Sequence, residues 1–537
     1  MHYQGFGKRS TSTPQTEPIP GSGQTQNNAG GFSWSVDDDT RLKRFLILGS
    51  NSATYYIGQR DLTKQNLEVV ERMLKDGKGH AVVNTIVEIS KTGRAPSNDP
   101  ALFALARCSA ADDQDTRQYA LANLSRVART GTHLLHFVAY TKQFRGWGRA
   151  YRRAVAEWFN TRGEQSLAYQ LIKYQQRDGY SQRDLLRLAH PKAETSTSNA
   201  LYYWVTKGWE GVGDEPHPDE VLRIIWAYER VKRAQGDKEV ASLIKAYRLP
   251  REAVPTQFLH SVRVWEALLE DMPMEAMMRN LATMTKEGVI EPLGDTTRQI
   301  AERLRNRDAI LKARLHPIKI LAALTTYQSG KSVRGDSTWA PAHTIIDALH
   351  DAFYLAFNNA EPTGKRILLA VDTSGSMQYG RVNGIPNLQL HTAAGAMALV
   401  LASSENDSHI NIIGVDTTIQ NLPISPKQRL DDVVRIIKSH GGGGTNLALP
   451  MEYAFQKKLE VDAFVILTDN ESWAGKHPIL ALKQYREKIK SNARLVSIQM
   501  SATHPTNNDP NDRLSLDCIG FDVAVPEIVS SFIKGDF

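Results

Sequence analysis

For most of its first two thirds the chain places apolar residues on a helical period, in short stretches broken by Gly, Pro or Asn. Apolar positions recurring every three to four residues predict helices over 80–91, 101–107, 133–144, 149–160 and 164–176. Further helices are predicted over 218–233, 263–269, 318–327 and 344–357, and strand-like alternation is missing between 37 and 357. A long series of short antiparallel helices suggests a HEAT-like solenoid, although no fixed repeat consensus recurs. Residues 358–364 (Asn-Asn-Ala-Glu-Pro-Thr-Gly) read as a linker, and the pattern then changes. Short apolar strands at 366–371, 409–415, 461–468 and 495–500 alternate with helices at 391–401 and 479–490, which predicts a parallel, doubly wound α/β sheet. The expected division is a disordered tail at 1–30, a helical domain at 31–357, the linker, and an α/β domain at 365–537.

Length and composition agree with this division. A chain of 537 residues exceeds what one core usually supports, and 41% apolar with 23% charged residues is ordinary for a globular protein. No apolar run approaches the roughly 18 residues of a membrane span, so no membrane partner is expected. The N-terminus has Lys8 and Arg9 but lacks the apolar core of a secretory signal. Cys108 and Cys518 lie in different expected domains, form no metal or disulfide pattern, and suggest a reducing, cytoplasmic setting.

Charge is distributed unevenly. From Glu361 onward the chain carries 17 Lys and Arg against 19 Asp and Glu, whereas the preceding part carries 48 against 39. The whole net charge of +7 therefore resides in the helical part, as for a domain with a polyanionic partner. A merely solvated surface is the alternative reading.

The sharpest chemistry is Asp372-Thr373-Ser374-Gly375-Ser376, directly after the first predicted strand, where ligands bind in open α/β sheets. Thr445 follows the run Gly441–Gly444, and Asp469 follows the strongest predicted strand. Hydroxyl and carboxylate oxygens suit a hard cation. D-x-S-x-S with a later Thr and a later Asp resembles the metal-ion-dependent adhesion site of von Willebrand factor A (vWA) domains. The resemblance implies that Ser374, Ser376 and Thr445 coordinate Mg²⁺ directly while Asp372 and Asp469 hold its waters. It also implies one open position for an acidic group of a partner. The four glycines are not a phosphate-binding loop, since no Gly-Lys-Ser/Thr follows. No nucleophile-plus-base pair accompanies the site, so a binding protein rather than an enzyme is expected.

The helical part offers a second candidate. On a wheel advancing 100° per residue, Tyr151, Ala154, Val155, Trp158 and Phe159 share one arc, and Arg149, Arg152 and Arg153 the neighbouring one. On the next predicted helix Lys173 and Arg177 stand four apart and would share a face, with Gln170 and Gln176 nearby; Arg183, Arg187 and His190 follow. Guanidiniums suit bidentate contacts to phosphate.

The run from Lys173-Tyr174-Gln175-Gln176-Arg177-Asp178-Gly179-Tyr180-Ser181 through Asp184-Leu185-Leu186-Arg187-Leu188-Ala189-His190 closely resembles the Ro autoantigen (SS-A) family, the TROVE-domain ribonucleoproteins. Gly146–Arg149, Thr206–Trp209, Met272-Pro273 with Arg279–Leu281, His316-Pro317, Glu361–Arg366 and Thr468–Gly475 match as well. The resemblance implies an all-α HEAT-like helical-repeat toroid followed by the α/β vWA domain that closes it. It further implies binding of small non-coding Y RNA on the outer surface, and of single-stranded 3′ ends of misfolded RNA in a central hole, as in RNA quality control. Lys173, Arg177 and His190 match the family's RNA-binding positions. Gly375 stands where animal members commonly have Ala, without changing the ligand spacing. An exoribonuclease or another protein with an acidic ligand for the vWA site is a possible second partner. The rival function is a protein-interaction scaffold that grips an acidic partner through the magnesium site and uses the helices only as a platform.

Overall fold

The computed structural model describes residues 13–49, 59–209, 215–332, 335–357, 362–382, 388–403, 405, 409–425, 428–522 and 524–536. Part of the expected linker (358–361) lies outside them. Among the described residues no helix is long and apolar enough to cross a membrane.

The helical domain is built as its pattern predicts. In the helix Arg149–Asn160 the buried residues are Tyr151, Ala154, Val155, Trp158 and Phe159, an i, i+3, i+4, i+7, i+8 stripe. Polar caps set the helix starts: the side chains of Asp37, Asp113, Thr130, Ser181 and Thr195 each accept a backbone N–H of the first turn. Successive helices pack on one another, and the series returns to its beginning. Arg314 Nη1 donates to the carbonyl of Lys91 at 2.6 Å, and the His316 ring meets the carbonyl of Arg94 at 3.2 Å. These contacts between positions more than 200 residues apart close the array into a ring.

The C-terminal domain is a six-stranded sheet of β1 (Ile367–Asp372), β2 (Ile410–Val415), β3 (Ile419–Asn421), β4 (Ala463–Thr468), β5 (Arg494–Gln499) and β6 (Ser515–Ile519). Its order is β6-β5-β4-β1-β2-β3, parallel throughout except for β3, which pairs antiparallel with β2. The expected doubly wound parallel sheet is present and gains one antiparallel edge strand, where a short turn after Val415 returns the chain beside β2. β1 and β4 are buried along their whole length, as strands with helices on both faces must be. The strand order reverses between β1 and β4, and Asp372 and Asp469 stand at their adjoining C-terminal ends.

The C-terminal domain spans the join of the ring. Arg44, from the helix Asp38–Leu48, is fully buried; its Nη1 donates to the carbonyls of Thr503 and Pro505 at 3.0 Å and its Nη2 to Asp517 Oδ1 at 3.2 Å. Arg94 Nε bonds Asp522 Oδ2 at 2.9 Å. From the last helix, His343–Leu355, Asp347 takes Arg429 at 2.8 Å.

Two expectations are overturned. Residues 13–30 are ordered rather than a disordered tail; residues 1–12 lie outside the described residues. Strand Phe32–Ser35 pairs with Thr25–Gln26 and with Pro505–Thr506, and Ile19 and Trp34 are buried in the core beneath the sheet. Distant partners, absent from any local pattern, order this segment. The helix expected over 164–176 ends at Lys173, and a two-stranded hairpin pairs Gln176 with Ser181 and Arg177 with Tyr180. Asp178 (φ 51°) and Gly179 (φ 78°) make its turn in the left-handed conformation that Asp-Gly tolerates. Lys173 and Arg177 therefore do not share a helix face.

Candidate functional site

At the sheet's switch point the five predicted donors come together. Ser374 N–H donates to Asp372 Oδ1 at 2.9 Å, the Thr468 hydroxyl donates to Asp372 Oδ2 at 2.5 Å, and the Ser374 and Ser376 hydroxyls lie 3.1 Å apart. Thr445 is held by its carbonyl, which accepts from the N–H groups of Trp473 and Ala474 at 3.1 and 3.0 Å and from the Ser472 hydroxyl at 3.1 Å. The glycine run lets its loop lie against the first motif. Gly441 (φ 107°) would put a Cβ 2.1 Å from the Thr373 carbonyl, and a Cβ on Gly444 would strike the Trp473 ring at 2.3 Å.

All five donors are fully buried, 0% exposed, which places the site deeper than a hydrated surface ion would need. The glycine loop covers one side. The N-terminal segment covers the Asp469 loop: Asn27 Nδ2 donates to the Ser472 carbonyl at 2.8 Å, and Asn28 donates to Glu471 through its backbone at 2.9 Å and its side chain at 2.6 Å. Burial pushes the Asp372 carboxyl up, as does the neighbouring Asp469 charge. Asp469 is pushed the same way by burial and by Glu471. Two oxygens, Thr445 Oγ1 and Asp469 Oδ2, are buried without a hydrogen-bond partner. Buried, unpaired oxygens among carboxylates are costly unless a cation meets them, and an all-oxygen set of this kind fits a hard divalent cation.

The basic residues occupy three adjoining elements. Arg149, Arg152 and Arg153 are exposed on the helix Arg149–Asn160; Gln176 and Arg177 are exposed on the hairpin; Arg187 and His190 are exposed on and just after the helix Gln182–Ala189. Among the described residues none of these five arginines has an ion-pair partner. His190 caps its helix in the left-handed conformation (φ 50°) and donates its N–H to the Leu186 carbonyl at 3.0 Å. A Ser181–Asp184 capping box fixes the start of the same helix.

Lys173 stands apart from this group. It is half-buried, with Nζ 3.4 Å from the Tyr169 hydroxyl and 5.4 and 5.6 Å from the Tyr169 and Tyr174 rings. Burial holds its ammonium below the usual lysine range, against the pull of Glu252. It lines a cavity of about 1020 Å³ together with Arg223, Arg248, Arg251 and Arg279, whose charge exceeds that of Glu220, Glu252 and Asp271 in the same lining; Asp271 pairs with Arg248 at 3.5 Å. Sequence reasoning missed these four arginines because they come from three separate stretches, none of them locally basic enough to stand out. It missed Asn28 and Glu471 because their pairing is across 443 residues.

Comparison with known proteins covers nearly all of the chain. Residues 25–328 match the TROVE domain family and residues 366–533 match the Ro60 vWA domain family. The chain is 39% identical over 526 residues to a protein of Deinococcus radiodurans named RNA-binding protein RO60, covering 97% of both. It is 34% identical over 587 residues to the RNA-binding protein RO60 of Caenorhabditis elegans, covering 96% of this chain and 90% of that one. The crystal structure of the Deinococcus radiodurans RO (RSR) protein superposes with a TM-score of 0.67 at 36% identity, over 93% of this chain and 100% of that chain.

Proposed function

The chain belongs to the Ro60 family of TROVE-domain RNA-binding proteins, and from that premise we propose that it binds small non-coding RNA of the Y type on the outside of its ring. The observation that carries this reading is the cluster of Arg149, Arg152, Arg153, Arg177 and Arg187, exposed and without ion-pair partners among the described residues, with Gln176 and His190 beside them. Guanidiniums left unpaired by the protein are free to take phosphates bidentately. The basic cavity at Lys173 supports a second mode, in which the single-stranded 3′ end of a misfolded RNA enters for quality control.

The vWA domain in this reading binds Mg²⁺ through Ser374, Ser376 and Thr445, with Asp372 and Asp469 holding its waters. The two orphaned buried oxygens support it. An acidic group of a protein partner, an exoribonuclease for example, would reach that ion only after the covering loops move. The role is binding rather than catalysis, and two free, buried cysteines suit a cytoplasmic setting. Purifying the protein from its host at moderate salt and sequencing the bound RNA tests the reading. Small structured RNAs are expected, and material free of nucleic acid at every salt would favour the scaffold instead.

A further inference from the structure

The helix Ser196–Lys207 turns one large aromatic ring into solvent: Tyr203 is 61% exposed, the most exposed aromatic of the helical domain among the described residues. It stands at the mouth of a cavity of about 340 Å³ floored by Leu222 and Ile225 and walled by Trp204, Trp209 and His217. Trp204 is a fixed wall. Its Nε1 donates to Glu229 Oε1 at 3.0 Å, and its ring meets Tyr228 edge-on at 5.7 Å and 87°. The Trp209 and His217 rings pack against each other, 5.3 Å apart and tilted by 59°, and together make one side of the cavity. His217 Nδ1 accepts the Asp219 N–H at 3.1 Å, which places the ring's proton on Nε2 as a free donor.

A second cavity, of about 490 Å³, lies against Trp204 and holds Gln176, Arg183 and Lys207. Among the described residues Arg183 and Lys207 have no ion-pair partner. A strand following this groove would lay its phosphates on two cations and then pass an aromatic wall.

We propose that Tyr203, Trp209 and His217 form a stacking pocket for one unpaired nucleobase of a single-stranded RNA segment whose backbone runs along the Arg183–Lys207 groove. The proposal rests on the RNA-binding reading above and gives it a subsite. Aromatic faces with a wet, polar edge suit a planar heterocycle, and the Asn199 amide at the rim and His217 Nε2–H can meet its edge. The basic approach separates a nucleotide from an apolar peptide side chain, which would find no use for Arg183 and Lys207. A base inside a duplex is stacked and out of reach, so only an unpaired one fits.

The test uses the full chain and a ten-nucleotide single-stranded oligoadenylate carrying one 2-aminopurine, with a strand abasic at all ten positions as control. Tyr203→Ala should weaken binding about tenfold or more and relieve the quenching of 2-aminopurine. Tyr203→Phe should bind as wild type. Both variants should bind the abasic strand like wild type, and the dependence of affinity on salt should not change, since no phosphate contact is lost. Tyr203 is exposed, so its loss leaves the fold intact. Unchanged affinity and fluorescence for Tyr203→Ala, in a protein whose Arg177→Ala variant does lose RNA, overturn the pocket and leave the RNA-binding reading standing. Equal weakening on the abasic strand also overturns it. A wild-type chain that binds no RNA overturns both.

Discussion

His316 and Arg94, 222 positions apart, meet at the join of the ring, where the His316 ring presents Nε2 to the Arg94 carbonyl at 3.2 Å. The other ring nitrogen, Nδ1, accepts the N–H of Ile318 at 3.2 Å and so caps the helix Pro317–Gln328. This pair of bonds assigns the neutral Nε2–H tautomer, and burial holds the imidazole down at a pKa of about 3. A folded-state pKa below the unfolded value means that the unfolded chain takes up the proton first. Stability from this group is therefore complete above about pH 6.5 and falls as pH drops toward 3, by up to about 1.4 kcal/mol per pH unit. Thermal unfolding from pH 7.5 to 5 should show this slope. His316→Asn, whose amide oxygen can keep the cap, should unfold with a shallower one. An equal slope in both proteins would remove His316 from the explanation.

The legible parts of this molecule are those written in local spacing. The stripe from Tyr151 to Phe159 reads directly as a helix face, and Asp372, Thr445 and Asp469 read as strand-end donors because each directly follows a strand or a glycine run. The hairpin after Lys173 is a different case. Its signal, Asp178-Gly179, is present, but Lys173 and Arg177 also fit a helical period, and the period masks the turn. Nothing local reveals the order of residues 13–30. Asn27 and Asn28 read as loop residues until the Ser472 carbonyl and Glu471 are seen opposite them. Long-range pairing of this kind is a property of the folded surface and leaves no periodic trace.

Arg44 supplies a prediction about the joint between the domains. Burial lowers its pKa and raises that of Asp517, so for each group desolvation outweighs the attraction of the other; Nη1 adds two bonds to the Thr503 and Pro505 carbonyls, while Nε is buried without a partner. Arg44→Ala should destabilise by about 3 kcal/mol, because the part-buried Asp517 then loses its cation and keeps only the Thr506 hydroxyl. The paired change Arg44→Met with Asp517→Asn should recover most of that loss. Urea unfolding of the wild type, Arg44→Met, Asp517→Asn and the double variant measures the coupling, and additive losses would show that the two groups act independently.

The vWA site predicts a stabilisation by metal. An ion meeting Thr445 Oγ1 and Asp469 Oδ2 binds the folded state alone. Mg²⁺ at a hundredfold excess over Kd should then add about 2.7 kcal/mol, seen as a Tm several degrees above that in EDTA. Ser374→Ala with Ser376→Ala should abolish the difference while leaving RNA affinity intact, since the basic residues lie in the other domain. Equal Mg²⁺ binding by both proteins in calorimetry would refute the donor assignment.

Because Lys173 and Arg177 stand on different elements, they should fail differently. Arg177 is exposed on the hairpin beside Arg187 and His190, whereas Lys173 lines the cavity of about 1020 Å³ with Arg248, Arg251 and Arg279. Its cationic lining and the Tyr169 and Tyr247 rings suit the backbone and unstacked bases of a single strand. A structured RNA with a 3′ overhang of several nucleotides should therefore bind better than its blunt-ended counterpart. Arg177→Ala should weaken both RNAs and flatten the slope of log affinity against log salt by about 0.7–0.9, as expected for one lost phosphate contact. Lys173→Ala together with Arg251→Ala should instead reduce the preference for the overhang and leave blunt RNA almost unaffected. Titrations of the three proteins with both RNAs at physiological salt decide the matter. Equal binding of overhanging and blunt RNA by the wild type would close the cavity as a strand site and leave the outer cluster as the whole of the RNA-binding surface.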